Sequence, residues 1–183
     1  QQQLGESESW RVLDAGCGTG LVGRFLRPLA KHLKGVDLSN KMREHAEQTG
    51  SYDALVQADL VEYLERLSEP FDLIVAADTL NYFGDLTDVM RLLIQSLRPG
   101  GYLLFTVEEG PLMGDDGYYL QPHGRYVHTP PHIIERMGKN GIPGGTMRRI
   151  VLRKENDKDV MGLMTLCQKP LHDPDSDENQ LLD

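Results

Sequence analysis

Residues 12–20 read Val12-Leu13-Asp14-Ala15-Gly16-Cys17-Gly18-Thr19-Gly20, a short apolar strand running into three alternating glycines and then into a helix. No other stretch restricts the fold as much. Glycines let a backbone turn sharply and approach a ligand closely, and a helix start presents unpaired N–H groups. In an open α/β sheet the crevice beyond the strand ends is where ligands bind. The following residues repeat the same alternation. Strands are expected at 10–15, 33–37, 54–58, 71–77 and 102–107, separated by helices at 21–27, 39–49, 59–67 and 86–97. Pro28 ends or kinks the first helix, Ser39 caps the second with Gly50 as its stop, and Asp59 with Glu62 resembles a capping pair for the third. The near-continuous apolar run at 71–77 suits a strand covered on both faces.

After Glu108 the pattern changes. Residues 108–130, rich in glycine, proline and tyrosine, are expected to form a long loop over the functional edge of the sheet. Thr129-Pro130-Pro131 opens a short helix ending near Gly138. The β-rich runs 146–153 and 160–168 are joined by a short polar link, so one of them runs antiparallel. The expected architecture is α/β: a doubly wound, seven-stranded sheet, mostly parallel with one antiparallel strand near the C-terminus. One domain spans 9–170, between a flexible leader at 1–8 and an acidic, disordered tail at 171–183.

Composition narrows the partners. The chain carries a net charge of −9, with five acids in its last 13 residues, and the remainder stays net acidic. An acidic body argues against nucleic acid as a partner. The apolar runs are too short for a membrane helix, which needs about 20 residues. Cys17 and Cys167 form no CxxC pair, which fits a reduced, cytoplasmic compartment. The first residue is Gln1, consistent with a piece cut from a longer protein.

The glycine turn admits two registers. Gly18-Thr19-Gly20-Leu21-Val22-Gly23 matches the dinucleotide GxGxxG pattern, which would make the chain an NAD-dependent oxidoreductase. Asp14-x-Gly16-x-Gly18-x-Gly20 instead sets a carboxylate at the strand tip facing the crevice. That suits a ligand bearing an ammonium and a sulfonium and repels a pyrophosphate. Asp37, ending the next strand, can accept both hydroxyls of a ribose.

Residues 10–107 resemble a class I S-adenosylmethionine-dependent methyltransferase. The matching pieces are Leu13 to Gly20, Gly35-Val36-Asp37-Leu38-Ser39-Asn40-Lys41-Met42, Ala58-Asp59-Leu60, Phe71 to Asp78, and Leu97-Arg98-Pro99-Gly100-Gly101. The resemblance implies S-adenosylmethionine as cofactor and S-adenosylhomocysteine as product. It implies that Asp14, Gly16, Cys17 and Gly18 hold the methionine end, that Asp37 holds the ribose, and that Leu38 and Met42 flank the adenine. Asp59, with Leu60, would meet the adenine amino group, and Ala77 would lie near the transferred methyl. Tyr119-Leu120 and Gly124 to His128 are similar to a bacterial-type group of methyltransferases often joined to tetratricopeptide repeats. Family members usually carry helices ahead of the first strand that help close the site. Only about nine residues precede it here, so part of the pocket is expected to be missing, disordered or supplied elsewhere.

The strand tip Ala77-Asp78-Thr79-Leu80 lacks the Asn/Asp-Pro-Pro-aromatic motif of enzymes that methylate amide or adenine nitrogens. The expected acceptor is therefore an oxygen or carboxylate of a small molecule. The alternatives are a protein acceptor or a cofactor-binding module without activity of its own. His128 and His123 are the candidate general bases, since imidazole titrates near neutral pH, and Tyr82 is a candidate for orienting the acceptor. His123, His128 and His132 fall close together, but Pro130 and Pro131 interrupt their spacing and no thiol or carboxylate pattern completes a metal site. No metal is assigned.

Overall fold

The computed structural model describes residues 10–112, 116–155 and 157–171. Its strands are β1 (Trp10–Ala15), β2 (Ala30–Asp37), β3 (Ala54–Gln57), β4 (Phe71–Ala76), β5 (Leu97–Glu109), β6 (Tyr118–Leu120), β7 (Tyr126–His128), β8 (Gly145–Glu155) and β9 (Lys158–Gln168). Its helices are α1 (Gly23–Leu26), α2 (Asn40–Gln48), α3 (Leu60–Glu65), α4 (Thr87–Gln95) and α5 (Pro130–Lys139). The first five strands pair in parallel in the order β3-β2-β1-β4-β5. β9 then pairs antiparallel with β5, and β8 antiparallel with β9. These seven strands form the doubly wound sheet, with β9 as its antiparallel member.

Side chains alternate between two cores, as the period of a strand requires. Val12, Leu73 and Val75 face one side with Trp10, Leu26 and Leu33. Leu13, Ile74, Ala76, Leu103 and Phe105 face the other, under α3, α4 and α5. Asp14 follows Val12 in the alternation and therefore projects to the side of α1.

Several boundaries differ from expectation. The first helix is only Gly23–Leu26 and passes into a 3₁₀ turn, Arg27–Leu29, where Pro28 supplies no N–H. β2 starts at Ala30, because the exposed Lys31 and His32 hide its first residues from an apolar pattern. Pro99-Gly100-Gly101 does not break the chain before β5. It forms a bulge inside β5, where pairing slips from Phe71–Leu97 to Leu73–Tyr102.

The long loop expected at 108–130 is partly a β-hairpin, β6 and β7, in the described residues. Three-residue strands are too short for periodicity to show. Glu108 pairs with Val127 of β7 and with Gly162 of β9, so these two strands lie on opposite edges of β5. The hairpin thus continues the sheet past the C-terminal end of β4. Tyr118 and Tyr126 meet edge-on and close over Gly84, which has no side chain to obstruct them. The leader and, beyond Leu171, the acidic tail lie outside the described residues. Among the described residues no helix is long and apolar enough to cross a membrane.

Ile74 is fully buried in the larger core. Ile74→Ala should lower unfolding free energy by about 2–5 kcal/mol in urea titration, the range for truncation of a buried aliphatic side chain. A loss under about 1 kcal/mol would show that this side of the sheet is loosely filled.

Candidate functional site

The C-terminal ends of β1, β2, β3 and β4 open into one cleft of about 1010 Å³. Its floor is the turn after β1. The N–H groups of Gly16 and Cys17 both donate to the Val36 carbonyl, at 2.8 and 3.0 Å. The Gly18 N–H donates to Asp37 Oδ2 at 2.9 Å, and the Gly20 N–H to the Cys17 carbonyl at 2.9 Å. The turn is therefore stapled to the end of β2, and these four donors are spent inside the protein. They leave no nest there for a pyrophosphate, which counts against the dinucleotide register. Gly16 has φ +76°, and a side chain there would overlap Thr79, whose hydroxyl donates to the Ala15 carbonyl at 2.9 Å. The turn is thus clamped from β4 as well.

Asp14, Gly16, Cys17, Gly18, Asp37, Leu38, Met42, Asp59, Leu60 and Ala77 all line this cleft, as does Tyr82. Asp14 is 1% exposed and accepts a 2.7 Å hydrogen bond from the Tyr52 hydroxyl. Burial pushes its carboxyl up to about 6, the Tyr52 hydrogen bond pulls it down, and the Asp37 charge adds to the rise. Asp37 also accepts from the Ser39 N–H through Oδ1, at 2.8 Å. Asp59 caps α3, its Oδ1 accepting from the N–H groups of Val61 and Glu62 at 2.9 and 3.2 Å. Both bonds fall on one oxygen. Leu38 and Met42 stand exposed at the rim. Burial, with the Asp14 and Asp37 charges, raises the Cys17 thiol to about 12, so it carries no thiolate chemistry at neutral pH.

Apart from Tyr82, the other end of the cleft is built by residues to which the sequence assigned no role. Asp78 follows β4 in the left-handed region, φ +56°, an uncommon conformation for a residue with a side chain. Its N–H donates to Thr106 Oγ1 at 2.8 Å, and its carboxylate accepts from Asn81 and from Arg153 at 3.0 Å. Arg153 also donates to Glu108 at 2.7 Å and to Glu155 at 2.6 Å. Arg125 shares Glu155 at 2.7 Å and lies 6.0 Å from the centre of the Tyr82 ring. Tyr82, Phe83, Ile150 and Leu152 complete an apolar wall. Asp78 carried a sequence signal, as the first charge after the apolar strand. Arg153 carried none, being one of several cations along an exposed strand.

The two histidines separate from the cleft. His123 does not line it. Its Nε2 lies 3.3 Å from Glu108 Oε1, so it reaches Asp78 only through Glu108 and Arg153. His128 is 0% exposed and stacks on His132 with ring centres 5.6 Å apart, under the hairpin and α5. Burial first, and His132 second, hold His128 down to about 4. A buried imidazole that does not line this cleft cannot take a proton from an acceptor in it. Tyr118 packs on this pair instead of lining the cleft.

A methyltransferase-domain family matches residues 2–146. Malonyl-[acyl-carrier protein] O-methyltransferase of Enterobacter lignolyticus is 35% identical over 132 residues, covering 72% of this chain and 51% of that protein. Ubiquinone biosynthesis O-methyltransferase of Aliivibrio fischeri is 27% identical over 100 residues, covering 52% of this chain and 43% of that protein. The chain spans about half the length of the curated relatives it matches. A Methanosarcina mazei methyltransferase shares the fold with a TM-score of 0.70 at 18% identity, over 93% of this chain and 96% of that one. Magnesium protoporphyrin IX methyltransferase of Synechocystis, solved with its cofactor bound, gives 0.64 at 19% identity, over 88% and 70%.

The buried histidine pair gives a pH signature. His128 and His132 both sit below the value of an unfolded histidine. As pH falls, the unfolded chain takes up these protons first, so stability present above about 6.5 is lost toward pH 4. Asp14 acts in the opposite sense, since its folded value lies above its unfolded one. In urea titrations, His128→Leu should shrink the stability lost between pH 7 and pH 5 by about 1–2 kcal/mol. An unchanged loss would show that His128 is not held neutral.

Proposed function

Since the chain belongs to the methyltransferase-domain family, we propose that it transfers the methyl group of S-adenosylmethionine to an oxygen of a small molecule, a hydroxyl in preference to a free carboxylate. The bound cofactor supplies a methyl group on a cationic sulfur, ready for in-line displacement. The chain's own task is then to bind, align and keep out water. Asp14 supplies a buried negative charge where the ammonium of the methionine end would lie. Asp37 and the free oxygen of Asp59 offer acceptors to the ribose and to the adenine amino group. Leu38, Met42 and Leu60 offer apolar contact to the purine. Gly16, Cys17 and Gly18 form a floor without bulk, and Ala77 keeps the β4 end small beside the transferred methyl.

The observation that carries the acceptor assignment is Asp78, a carboxylate in the cleft wall immediately past β4. It can accept the proton of a hydroxyl as that oxygen becomes a nucleophile. The surrounding cluster sets three carboxylates, Asp78, Glu108 and Glu155, against two guanidiniums, Arg153 and Arg125. Arg153 already meets all three acids, so an incoming carboxylate would find repulsion and a cation already in use. Tyr82 and the apolar wall orient the acceptor. His123 is the reserve proton acceptor behind Glu108, and His128 has a packing role instead. The O-methyltransferase names of the curated relatives support an oxygen acceptor. The malonyl group in the name of the Enterobacter relative is that of a dicarboxylic acid, which makes acids the second class to test.

Mass-spectrometric product analysis with labelled cofactor, over panels of phenols, alcohols and carboxylic acids, should find methyl ethers. Asp78→Asn should lower kcat about 100-fold and change the Kd for S-adenosylhomocysteine less than about threefold. Methyl esters as the only products, or full turnover in Asp78→Asn, would overturn the hydroxyl assignment.

A further inference from the structure

We propose that Tyr52 is a positioning residue for cofactor binding: its ring fills a slot cut by Gly20, Gly23 and Gly35, and its hydroxyl holds Asp14 toward the cleft as a charged carboxylate. This goes beyond the roles above and rests on the reading of Asp14 as the partner of the cofactor's ammonium.

Three glycines, one in the turn after β1, one in α1 and one in β2, surround one ring. A side chain at Gly23 in α1 would overlap the Tyr52 hydroxyl. One at Gly35 in β2 would come within 2.9 Å of Tyr52 Cε1, and one at Gly20 within 3.1 Å of Cε2. The phenol is thus threaded between the helix that follows the glycine turn and the strand that the turn is stapled to. At the end of that slot its hydroxyl donates to Asp14 Oδ2 at 2.7 Å. Tyr52 does not line the cleft, so its effect passes through Asp14. The same packing accounts for Gly23, the residue that completed the dinucleotide-like spacing. Gly23 makes room for a tyrosine and not for a pyrophosphate.

Asp14 needs such a partner. It is nearly inaccessible, and desolvation favours its neutral form, which would lose its attraction for an ammonium. The titratable groups that bear on it are Tyr52 from the segment after α2, Asp37 from β2 and Cys17 from the turn. Asp37 opposes its ionisation, and Cys17 stays a neutral thiol. Tyr52 is the group among them that favours the charged form. The hydroxyl is itself held protonated, because burial and the adjacent carboxylate push its own ionisation far up.

The test is isothermal titration of S-adenosylhomocysteine across pH 5–8.5 with the wild type, Tyr52→Phe and Gly23→Ala. Wild-type affinity should fall below a midpoint near pH 6, the value Asp14 carries. Tyr52→Phe keeps the ring and removes the donor. Its midpoint should rise by about one pH unit, weakening binding about fivefold at pH 6 while affinity at pH 8.5 stays within about twofold. Gly23→Ala keeps the tyrosine at 52 but pushes its hydroxyl aside, and should move the midpoint in the same direction. An unmoved midpoint in Tyr52→Phe, or an equal loss of affinity at every pH, would overturn the inference and leave the cofactor reading standing. Absence of binding by the wild type at every pH would overturn the cofactor reading itself, and this inference with it.

Discussion

The site depends on a backbone staple. The Val36 carbonyl takes the N–H groups of both Gly16 and Cys17, and Asp37 takes that of Gly18. Through these bonds the turn after β1 and the end of β2 become one rigid edge, with Thr79 bracing it from the β4 side. Only residues without a side chain at Gly16 and with a left-handed backbone there allow the contact. The staple also decides what the edge can bind. The N–H groups of Gly16, Cys17, Gly18 and Gly20 are consumed, so the charges this edge presents to the cleft are the carboxylates of Asp14 and Asp37. A surface of that kind favours a ligand with cationic groups and hydroxyls over one with phosphates.

The two ends of the cleft handle charge differently. At the β1 end, Asp14 is buried and, among the described residues, has one side-chain hydrogen-bonding neighbour and no paired cation, so its charge is costly until a cation arrives. At the end past β4, proposed to take the acceptor, Asp78, Glu108 and Glu155 are neutralised in part by Arg153 and Arg125, which tie β8 and the hairpin to the β4 end. Asp78 is held there in a strained backbone conformation by Thr106, Asn81 and Arg153. Strain kept in place by this many contacts is common where a side chain must be aimed at a substrate.

Much of this was readable before any coordinates. The parallel core followed from alternating apolar runs, and the gathering of Asp14, Asp37 and Asp59 around one cleft from glycines and acids at strand ends, because both rest on short-range patterns. What escaped detection was built by long-range juxtaposition. Arg153 meets Asp78 across 75 residues of sequence and Tyr52 meets Asp14 across 38, and neither pair has a spacing that marks it. The hairpin at 118–128 was hidden by the brevity of its strands. His128 looked available because imidazole chemistry is legible in a sequence and burial in a short aromatic cluster is not.

The central claim is that acidic side chains at neighbouring strand ends hold S-adenosylmethionine. Calorimetric titration at neutral pH with S-adenosylhomocysteine and, separately, NAD tests it most directly, using the wild type and Asp37→Ala. The account predicts one S-adenosylhomocysteine per chain, binding weakened roughly 10- to 100-fold in Asp37→Ala, and no heat with NAD. Saturable NAD binding with no response to S-adenosylhomocysteine, or unchanged affinity in Asp37→Ala, would contradict it.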